Sequence, residues 1–450
     1  MLFVALVSSG DAEPGMLPPG LQAVGGITLV ERQVRQALRA GAAQVLLLAA
    51  ALPEPVENRL VADGRVVRVA TVRDLGRQLT DKTAPLLLMA PGTLLDDRLI
   101  RQMASGTSAP ALMVFSGESP VGAERLDARD HWAGLALLPA AMVRQVAAGL
   151  GEWELGATLV RAAVEAGATR LDTSTFDTYA ADRRRNLPFV WARPTEPASC
   201  DSATGLLQDA AQKGCLDWPA RFIHAPLEDW LVRLLLPTSV TPNRITLLTA
   251  ILGFGAIAAF AAGWLWVGLV LMLIIGPLDG VDGKLARTRC EFSRWGDLEH
   301  VLDKVVEYGA YIAMGYWFAK FHGVAAWLAA AGIIIFALSE ALKGEFFRRF
   351  TKRQLDDWGP FERRFRLVGG RRNTFFWTLI PFAAYGLWFE GFLFILGYAA
   401  LTFAVAEWRF LKALFEHARQ TNQQVAANFA ETAYDFMPKA KPLVRDKIMT

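Results

Sequence analysis

Asp279 and Asp282 stand directly after an uninterrupted apolar run, and Glu299 and Asp303 follow beyond a charged loop. Charged groups at membrane depth are costly and mark function. On a helix Asp279, Asp282, Gly283, Ala286 and Arg287 fall at i, i+3, i+4, i+7 and i+8 and share one face. Glu299 and Asp303, at i and i+4, share a face of the next helix. Two antiparallel helices joined by a short loop would bring the four carboxylates together. Such a cluster repels itself unless a cation lies among it. Oxygen ligands with no Cys or His partner select hard cations, here Mg²⁺, Mn²⁺ or Ca²⁺. Gly283 and Ala286 leave room for a bulky group to approach the backbone, and Arg287 could answer a phosphate. Metal, phosphate and a spare carboxylate base are the parts of a displacement at phosphorus. The alternative is an ordinary cytoplasmic loop whose acids are solvated.

The elements that must hold these residues are apolar. The chain has 450 residues, 53 % hydrophobic and 20 % charged, and its long apolar runs fall within 241–412. Uncharged segments cover 245–263 and 264–275, and further apolar segments lie near 301–321, 323–342, 374–389 and 391–407. A spanning helix needs about 20 residues, so several reach that length only with their polar ends, and six spans are expected. The stretch 343–372 holds ten Lys/Arg against four acids, a net charge of +6, and the loop 284–296 is also basic. The positive-inside rule then places both termini and these loops in the cytoplasm. Arg371 and Arg372 could bind an anionic acceptor or lipid headgroup; the plainer reading of any one arginine here is topology and a solvated face. Net charge over the chain is only +3 and gives no reason to expect a nucleic-acid partner. Three cysteines without framework spacing argue against disulfides or a zinc site, and the five histidines show no ligand spacing. No P-loop occurs. The opening MLFVALVSSG lacks a basic n-region and reads as a first core strand rather than a signal peptide.

Residues 1–190 alternate short apolar runs with amphipathic stretches. Strands are expected at 2–7, 44–50, 66–70, 85–90, 111–115 and 134–138, with a helix over 28–40. Strand, helix, strand in that order implies an α/β domain with a parallel, Rossmann-like sheet. Residues 191–215 are expected to be a linker, because prolines, serines and a glycine break the periodicity there. An amphipathic helix over 216–236, kinked at Pro226, either lies along the membrane interface or packs on the soluble domain.

The acidic segment resembles the signature of the CDP-alcohol phosphatidyltransferase family, D-x2-D-G-x2-A-R-x8-G-x3-D-x3-D. Asp279-x2-Asp282-Gly283-x2-Ala286-Arg287-x8-Gly296 matches it residue for residue. Glu299-x3-Asp303 keeps the final spacing but sits one residue early, and Asp303-Lys304 is similar to the family's Asp-Lys pair. Thr241-Pro242-Asn243-Arg244-Ile245-Thr246 also resembles the family's start. The resemblance covers 216–412 and implies an all-α six-helix membrane domain, with 413–450 as a cytoplasmic tail. It implies that Asp279, Asp282 and Glu299 hold metal, with Asp303 sharing it, and that Asp303 is the base. Gly283, Ala286 and Arg287 would line the nucleotide site. The implied reaction moves a phospho-alcohol group from a CDP-alcohol to a hydroxyl acceptor and releases CMP, in phospholipid or related phosphodiester synthesis. A homodimer in contact with membrane lipids is implied too, in a bacterial inner membrane.

Residues 1–190 resemble, less closely, a sugar-phosphate nucleotidyltransferase. Gly26-Ile27-Thr28-Leu29-Val30-Glu31-Arg32, Ala40-Gly41-Ala42 and His131-Trp132-Ala133-Gly134-Leu135 carry that likeness. The loop after the first strand, Ser8 to Gly15, has no basic residue, and Thr93 stands where a metal-binding Asp is expected, with Asp96 and Asp97 beyond. A triphosphate site without cations is electrostatically unsupported, so this domain is expected to be degenerate. The pairing of domains resembles bifunctional enzymes that make CDP-inositol and transfer it to a phospho-alcohol, which raises inositol phosphate as an acceptor or donor group. Two alternatives stand: a cytidylyltransferase acting through the N-terminal domain, and a non-enzymatic membrane lipid-binding protein.

Overall fold

The computed structural model describes residues 2–419 except 12–15, 81–82, 151–153, 293–295 and 352; the side chains of 296–300 and 418 lie outside the described residues as well. Glu13, the side chain of Glu299 and most of the expected tail fall there.

In the N-terminal domain the apolar runs become strands. They are β1 (Val4–Ser8), β2 (Gln44–Leu48), β3 (Val66–Val69), β4 (Leu86–Met89), β5 (Ala111–Ser116), β6 (Asp130–Leu138) and β7 (Thr169–Asp172). One sheet runs β7-β5-β6-β4-β1-β2-β3, parallel throughout except β6, with the short strand Glu124–Arg125 added to β6. Both faces are covered, which is why these strands read as continuous apolar runs rather than as alternation. Ala5, Val7, Val45, Leu47, Leu87 and Met89 point into one core, and Val4, Leu6, Leu46, Leu86 and Leu88 into the other. Helix α1 (Leu29–Arg39) begins where the Thr28 hydroxyl accepts from the Glu31 N–H at 3.3 Å. It buries Val30, Val34 and Ala37 against the sheet, each valine being worth roughly 1.5–3 kcal/mol. Its arginines reach the other half of the molecule: Arg32 donates to the Thr288 carbonyl, and Arg35 to that of Arg289 at 3.2 Å.

The expected linker is not structureless. It holds helix α2 (Pro197–Ala211). Pro197 opens this helix, where its missing N–H costs nothing, and Ser199 Oγ accepts from the Glu196 N–H at 3.0 Å. Of the residues that seemed to break periodicity, Pro197 and Ser199 are start signals, whereas Ser202 and Gly205 lie within the helix. Near Pro226 the expected helix is irregular rather than interrupted. A π-helical turn (Ala220–His224) leads into α3 (Ala225–Leu235), with Pro226 in its first turn.

Six helices follow as a bundle: α4 (Pro242–Ala262), α5 (Leu265–Thr288), α6 (Gly296–His322), α7 (Val324–Thr351), α9 (Arg372–Ala384) and α10 (Trp388–Arg419), with the short α8 (Pro360–Val368) before α9. Among the described residues four of them, α4, α5, α7 and α10, are long and apolar enough to cross a membrane. Six full spans are therefore not found by that measure. Helix α6 carries Asp303, Lys304 and Glu307 in its early turns. Helix α9, at 13 residues, is only about 20 Å long against a hydrocarbon core of about 30 Å. Helix α10 continues to Arg419, so the start of the expected tail is helical. Phe260, Tyr311 and Phe376 stack in the bundle core.

Helix α3 turns its polar side inward. Phe222, Trp230 and Leu234 are exposed, whereas His224 and Glu228 are buried against α5. That arrangement favours the interfacial reading over packing on the sheet. The contact depends on two glycines one turn apart. A Cβ on Gly276 would lie 2.5 Å from the His224 ring, and one on Gly280 would lie 2.1 Å from Glu228 Oε1. Gly280→Ala should therefore cost about 1–3 kcal/mol by overpacking, read as a lower melting temperature of the detergent-solubilised chain. Burial, partly offset by Lys284, pushes the Glu228 carboxyl up to about 7 from its ordinary 4.5. The folded state holds this proton more tightly than the unfolded one, so the contribution to stability is present below 4.5 and is lost as pH rises to 7. Glu228→Gln should match the wild type near pH 4.5 and exceed it near pH 8 in thermal melts.

Candidate active site

Three helices meet at the predicted acids. Asp279 and Asp282 lie on α5, Asp303 on α6, and Arg372 opens α9. Arg372 donates to Asp279 at 2.5 Å and to Asp303 at 3.2 Å, and the two carboxyls also meet each other. Asp282 is only 2 % exposed. It accepts from the Thr246 hydroxyl at 2.6 Å and from the Gly283 N–H at 2.5 Å. Thr246 is the last residue of the stretch that opens α4; its place in that stretch was visible, its bond to Asp282 was not.

The three aspartates line one small pocket of about 10 Å³ together with Thr246 and Thr249, room for one water-sized or ion-sized body. Its polar lining is carboxylate and hydroxyl oxygen, beside Ala250, Ile275, Leu302 and Val306, which suits a hard divalent cation. Among the described residues no three acidic, His or Cys side chains already stand as a ready ligand set: Asp279 and Asp303 are turned to Arg372, and Asp282 to Thr246. Glu299 sits one turn before Asp303 on α6, with its side chain outside the described residues. A cavity of about 470 Å³ adjoins the site; Asp279, Asp303 and Arg372 line it, with Arg371, Arg366 and Asp356 among others.

Arg371 and Arg372 are not solvated members of a basic loop. Arg371 binds both oxygens of Asp356 at 3.1 Å and lies 3.6 Å from Glu340. Charge alone assigned them to the surface; the acids that hold them are distant in sequence and could not be foreseen. Gly283, Ala286 and Arg287 share the α5 face as expected. The Arg287 guanidinium already donates to the Ala211 carbonyl at 2.8 Å, at the end of α2. Lys284, not singled out from sequence, is 1 % exposed and meets Asp229, Gln212 and, at 3.8 Å, Glu228. Arg289 ties the α3–α4 turn to α5 through the carbonyls of Val240 (2.6 Å), Leu235 (2.7 Å) and Thr238 (2.7 Å). His224 is buried, takes a 3.3 Å bond from the Trp377 indole, and is lowered to about 4 by burial.

A sequence profile described as CDP-alcohol phosphatidyltransferase matches residues 239–406. The inner membrane protein YnjF of Escherichia coli (strain K12) is 32 % identical over 149 residues, 32 % of this chain and 69 % of that protein. The chain belongs to the CDP-alcohol phosphatidyltransferase family. It is accordingly a membrane-associated transferase that takes a CDP-alcohol as donor and a hydroxyl group as acceptor. A second relative, the bifunctional IPC transferase and DIPP synthase of Aquifex aeolicus (strain VF5), is 29 % identical over 166 residues, 35 % of this chain and 38 % of that protein. Family members generally use a divalent metal, and the carboxylate and hydroxyl oxygens in the pocket between α4, α5 and α6 are of the type that suits one.

The N-terminal domain has a solved neighbour in a UDP-glucose pyrophosphorylase from Acinetobacter baumanii, at a TM-score of 0.31 and 12 % identity, covering 52 % of this chain and all of that one. At the carboxyl end of β4 the acids are engaged structurally. Asp96 caps the following helix and pairs with Arg98 at 2.8 Å, and Asp97 meets Arg39 at 2.9 Å and Gln36 at 2.6 Å. Thr93 is buried and accepts from Gln33 through its carbonyl. Gly92, in a left-handed conformation, is covered by Pro19 so closely that a Cβ there would lie 2.4 Å away. The loop after β1 thus folds over the strand ends.

Proposed function

We propose that this chain moves a phospho-alcohol group from a CDP-alcohol to a hydroxyl-bearing acceptor in lipid or related phosphodiester synthesis, with a divalent metal bound by Asp279, Asp282 and Glu299 and shared by Asp303. What supports this most is the meeting of three aspartates, from the two halves of the matched motif, around one ion-sized pocket beside a large cavity. Mg²⁺ or Mn²⁺ suits that donor set, and Ca²⁺ shares its chemistry. When bound, such an ion neutralises charge on the phosphates and polarises the phosphorus. The chain's own side chains do the rest. Asp303 takes the proton of the acceptor hydroxyl, whose oxygen attacks the β-phosphorus while CMP leaves. Arg372 positions Asp279 and Asp303. Thr246 orients Asp282, which leaves one carboxylate oxygen toward the Gly283 N–H. Gly283, Ala286 and Arg287 border the nucleotide, and Arg371 borders the acceptor cavity.

We divide the chain into a degenerate nucleotidyltransferase-like domain (1–190), a helical connector (191–215), the transferase domain (216–412) and a tail (413–450). The basic stretch 343–372 favours a cytoplasmic active site, N-terminal domain and tail in a bacterial inner membrane, and a homodimer fits the family. The reading is tested with the purified full-length chain, Mg²⁺ or Mn²⁺, and a panel of CDP-alcohols and acceptors including inositol phosphate. CMP release that stops with chelator and returns with metal is expected. Absence of CMP with every donor would overturn it, and pyrophosphate release from CTP would overturn the inactive N-terminal domain.

A further inference from the structure

The N-terminal domain meets the transferase domain at the end of the motif helix, with backbone as well as side chains. Gly25 and Gly26 link the paired strands Ala23–Val24 and Ile27–Thr28 and are left-handed, with φ 63° and 82°. A Cβ on Gly25 would lie 2.8 Å from the Thr288 carbonyl oxygen, and one on Gly26 would lie 2.6 Å from that of Leu236. Helix α1 follows, and its Arg32, Arg35 and Arg39, at i, i+3 and i+7, share one face. They track the chain as it leaves α5. Arg32 is 2 % exposed and donates to the carbonyls of Thr288 and, at 3.4 Å, Val24. Arg35 donates to the Arg289 carbonyl at 3.2 Å, and the Arg39 guanidinium lies 3.7 Å from the centre of the Phe292 ring. Acids of the same domain aim the last two: Glu31 accepts from Arg35 at 2.7 Å and Asp97 from Arg39 at 2.9 Å.

Among these contacts lies a turn that its own sequence disfavours. The Cys290 N–H donates to the Arg287 carbonyl at 3.3 Å, and the Glu291 N–H to that of Ala286 at 2.8 Å. That pattern ends a helix through one residue in the left-handed region, a place usually held by glycine. Here Cys290 holds it, with φ 52° and the side chain buried. A residue with a side chain keeps that conformation where its surroundings impose it, and the residues on either side, Thr288, Arg289 and Phe292, are the ones α1 grips. The two turn bonds end on Ala286 and Arg287, so the shape of the turn is also the shape of the last turn of α5. The α6 half of the motif is seated by the bundle itself: a Cβ on Gly253 of α4 would lie 2.5 Å from Val306, three residues past Asp303. The α5 half ends on a domain outside the bundle.

We propose that Arg32, Arg35 and Arg39 are positioning residues of the transferase: through the Cys290 turn they hold Ala286 and Arg287 in the conformation that receives the nucleotide of the donor. The N-terminal domain then contributes to donor binding without any chemistry of its own. The place of the nucleotide beside Ala286 and Arg287 rests on the transferase reading above; the grip of α1 on the turn does not.

The test uses the purified full-length chain and reads the turn and the nucleotide separately. Burial pushes the Cys290 thiol up to about 11, so a water-soluble maleimide near neutral pH should label it slowly. Arg32→Met keeps the length of the side chain and removes its donors. It should speed the labelling of Cys290, located by mass spectrometry, and weaken CMP binding in calorimetry, each by about tenfold, the order lost with a hydrogen bond from a charged group. The donor KM should rise by a similar factor with kcat little changed, the split expected when binding rather than chemistry is lost. Arg32→Lys, which can still donate to the Thr288 carbonyl, should restore most of the affinity. If Arg32→Met does not fold, Arg35→Gln replaces it, because Glu31 keeps Arg59 on both oxygens at 3.0 Å; its loss of CMP affinity should be smaller but measurable. Unchanged labelling would overturn the proposal. So would faster labelling with unchanged CMP affinity, since α1 would then only join the domains, and so would a fall in kcat at constant donor KM. CMP binding that weakens in the variants without CMP release from any donor removes the transferase reading alone. CMP release with the wild-type donor KM in every variant removes the positioning role alone.

Discussion

Asp303→Asn is expected to reduce CMP release by about 10²–10⁴-fold, the range lost with a positioned general base, in a chain that still folds. The amide keeps the size of the carboxyl and can still accept from Arg372, which lies 3.2 Å from Asp303. It cannot take a proton from the acceptor hydroxyl. Steady-state CMP release with the preferred donor, read beside a melting curve, separates the two effects. Turnover within threefold of wild type would remove Asp303 from the base role. Asp282→Ala should be similarly inactive for a different reason: it deletes a donor from the oxygen-lined pocket and leaves the Thr246 hydroxyl without its 2.6 Å partner.

Arg372→Ala should have the largest effect on stability. Arg372 is the cation between Asp279 and Asp303, and its side chain is only 14 % exposed. Removing one partner of such a buried cluster costs about 3–5 kcal/mol, because the remaining charges stay desolvated and uncompensated. Divalent metal would supply the missing charge at the same carboxylates. Added Mg²⁺ should therefore raise the melting temperature of Arg372→Ala more than that of wild type. An equal shift in both proteins would show that Arg372 and the ion do not compete. CMP release by this variant should also fall, since Asp303 loses its positioning contact.

Much of this arrangement was legible in the sequence. Five strands were found within about two residues because a sheet covered on both faces turns each strand into an apolar run; β6 was expected only from 134, and the exposed, polar β7 (Thr169–Asp172) was missed. The motif face Asp279, Asp282, Gly283 followed from helical spacing and survives intact on α5. Other features were hidden for identifiable reasons. Helix α2 was missed because Pro197 and Ser199 read as breakers in the middle of a segment but as a start signal at its edge. Helices α6 and α9 were expected as full spans, but one carries the site's charges and the other is short. Arg371 and Arg372 looked solvated because their partners are non-local; Asp279 is 93 positions from Arg372. Asp282's hydroxyl partner and the buried Lys284 depend on the same kind of long-range pairing, which periodicity cannot encode.

The α1 arginines reach the last carbonyls of α5, where Arg32 meets Thr288 and Arg35 meets Arg289. The final carbonyls of a helix have no partner within it. Here the following turn serves Leu285, Ala286 and Arg287, and the donors to Thr288 and Arg289 come from a domain synthesised before the helix exists. As the polypeptide emerges, the sheet domain can finish folding while α5 is still to be inserted, and its two guanidinium groups wait for a chain end that arrives later. The end of α5 is thus completed by an older neighbour, and exchanging that neighbour for an unrelated module would strip the donors from the Thr288 and Arg289 carbonyls.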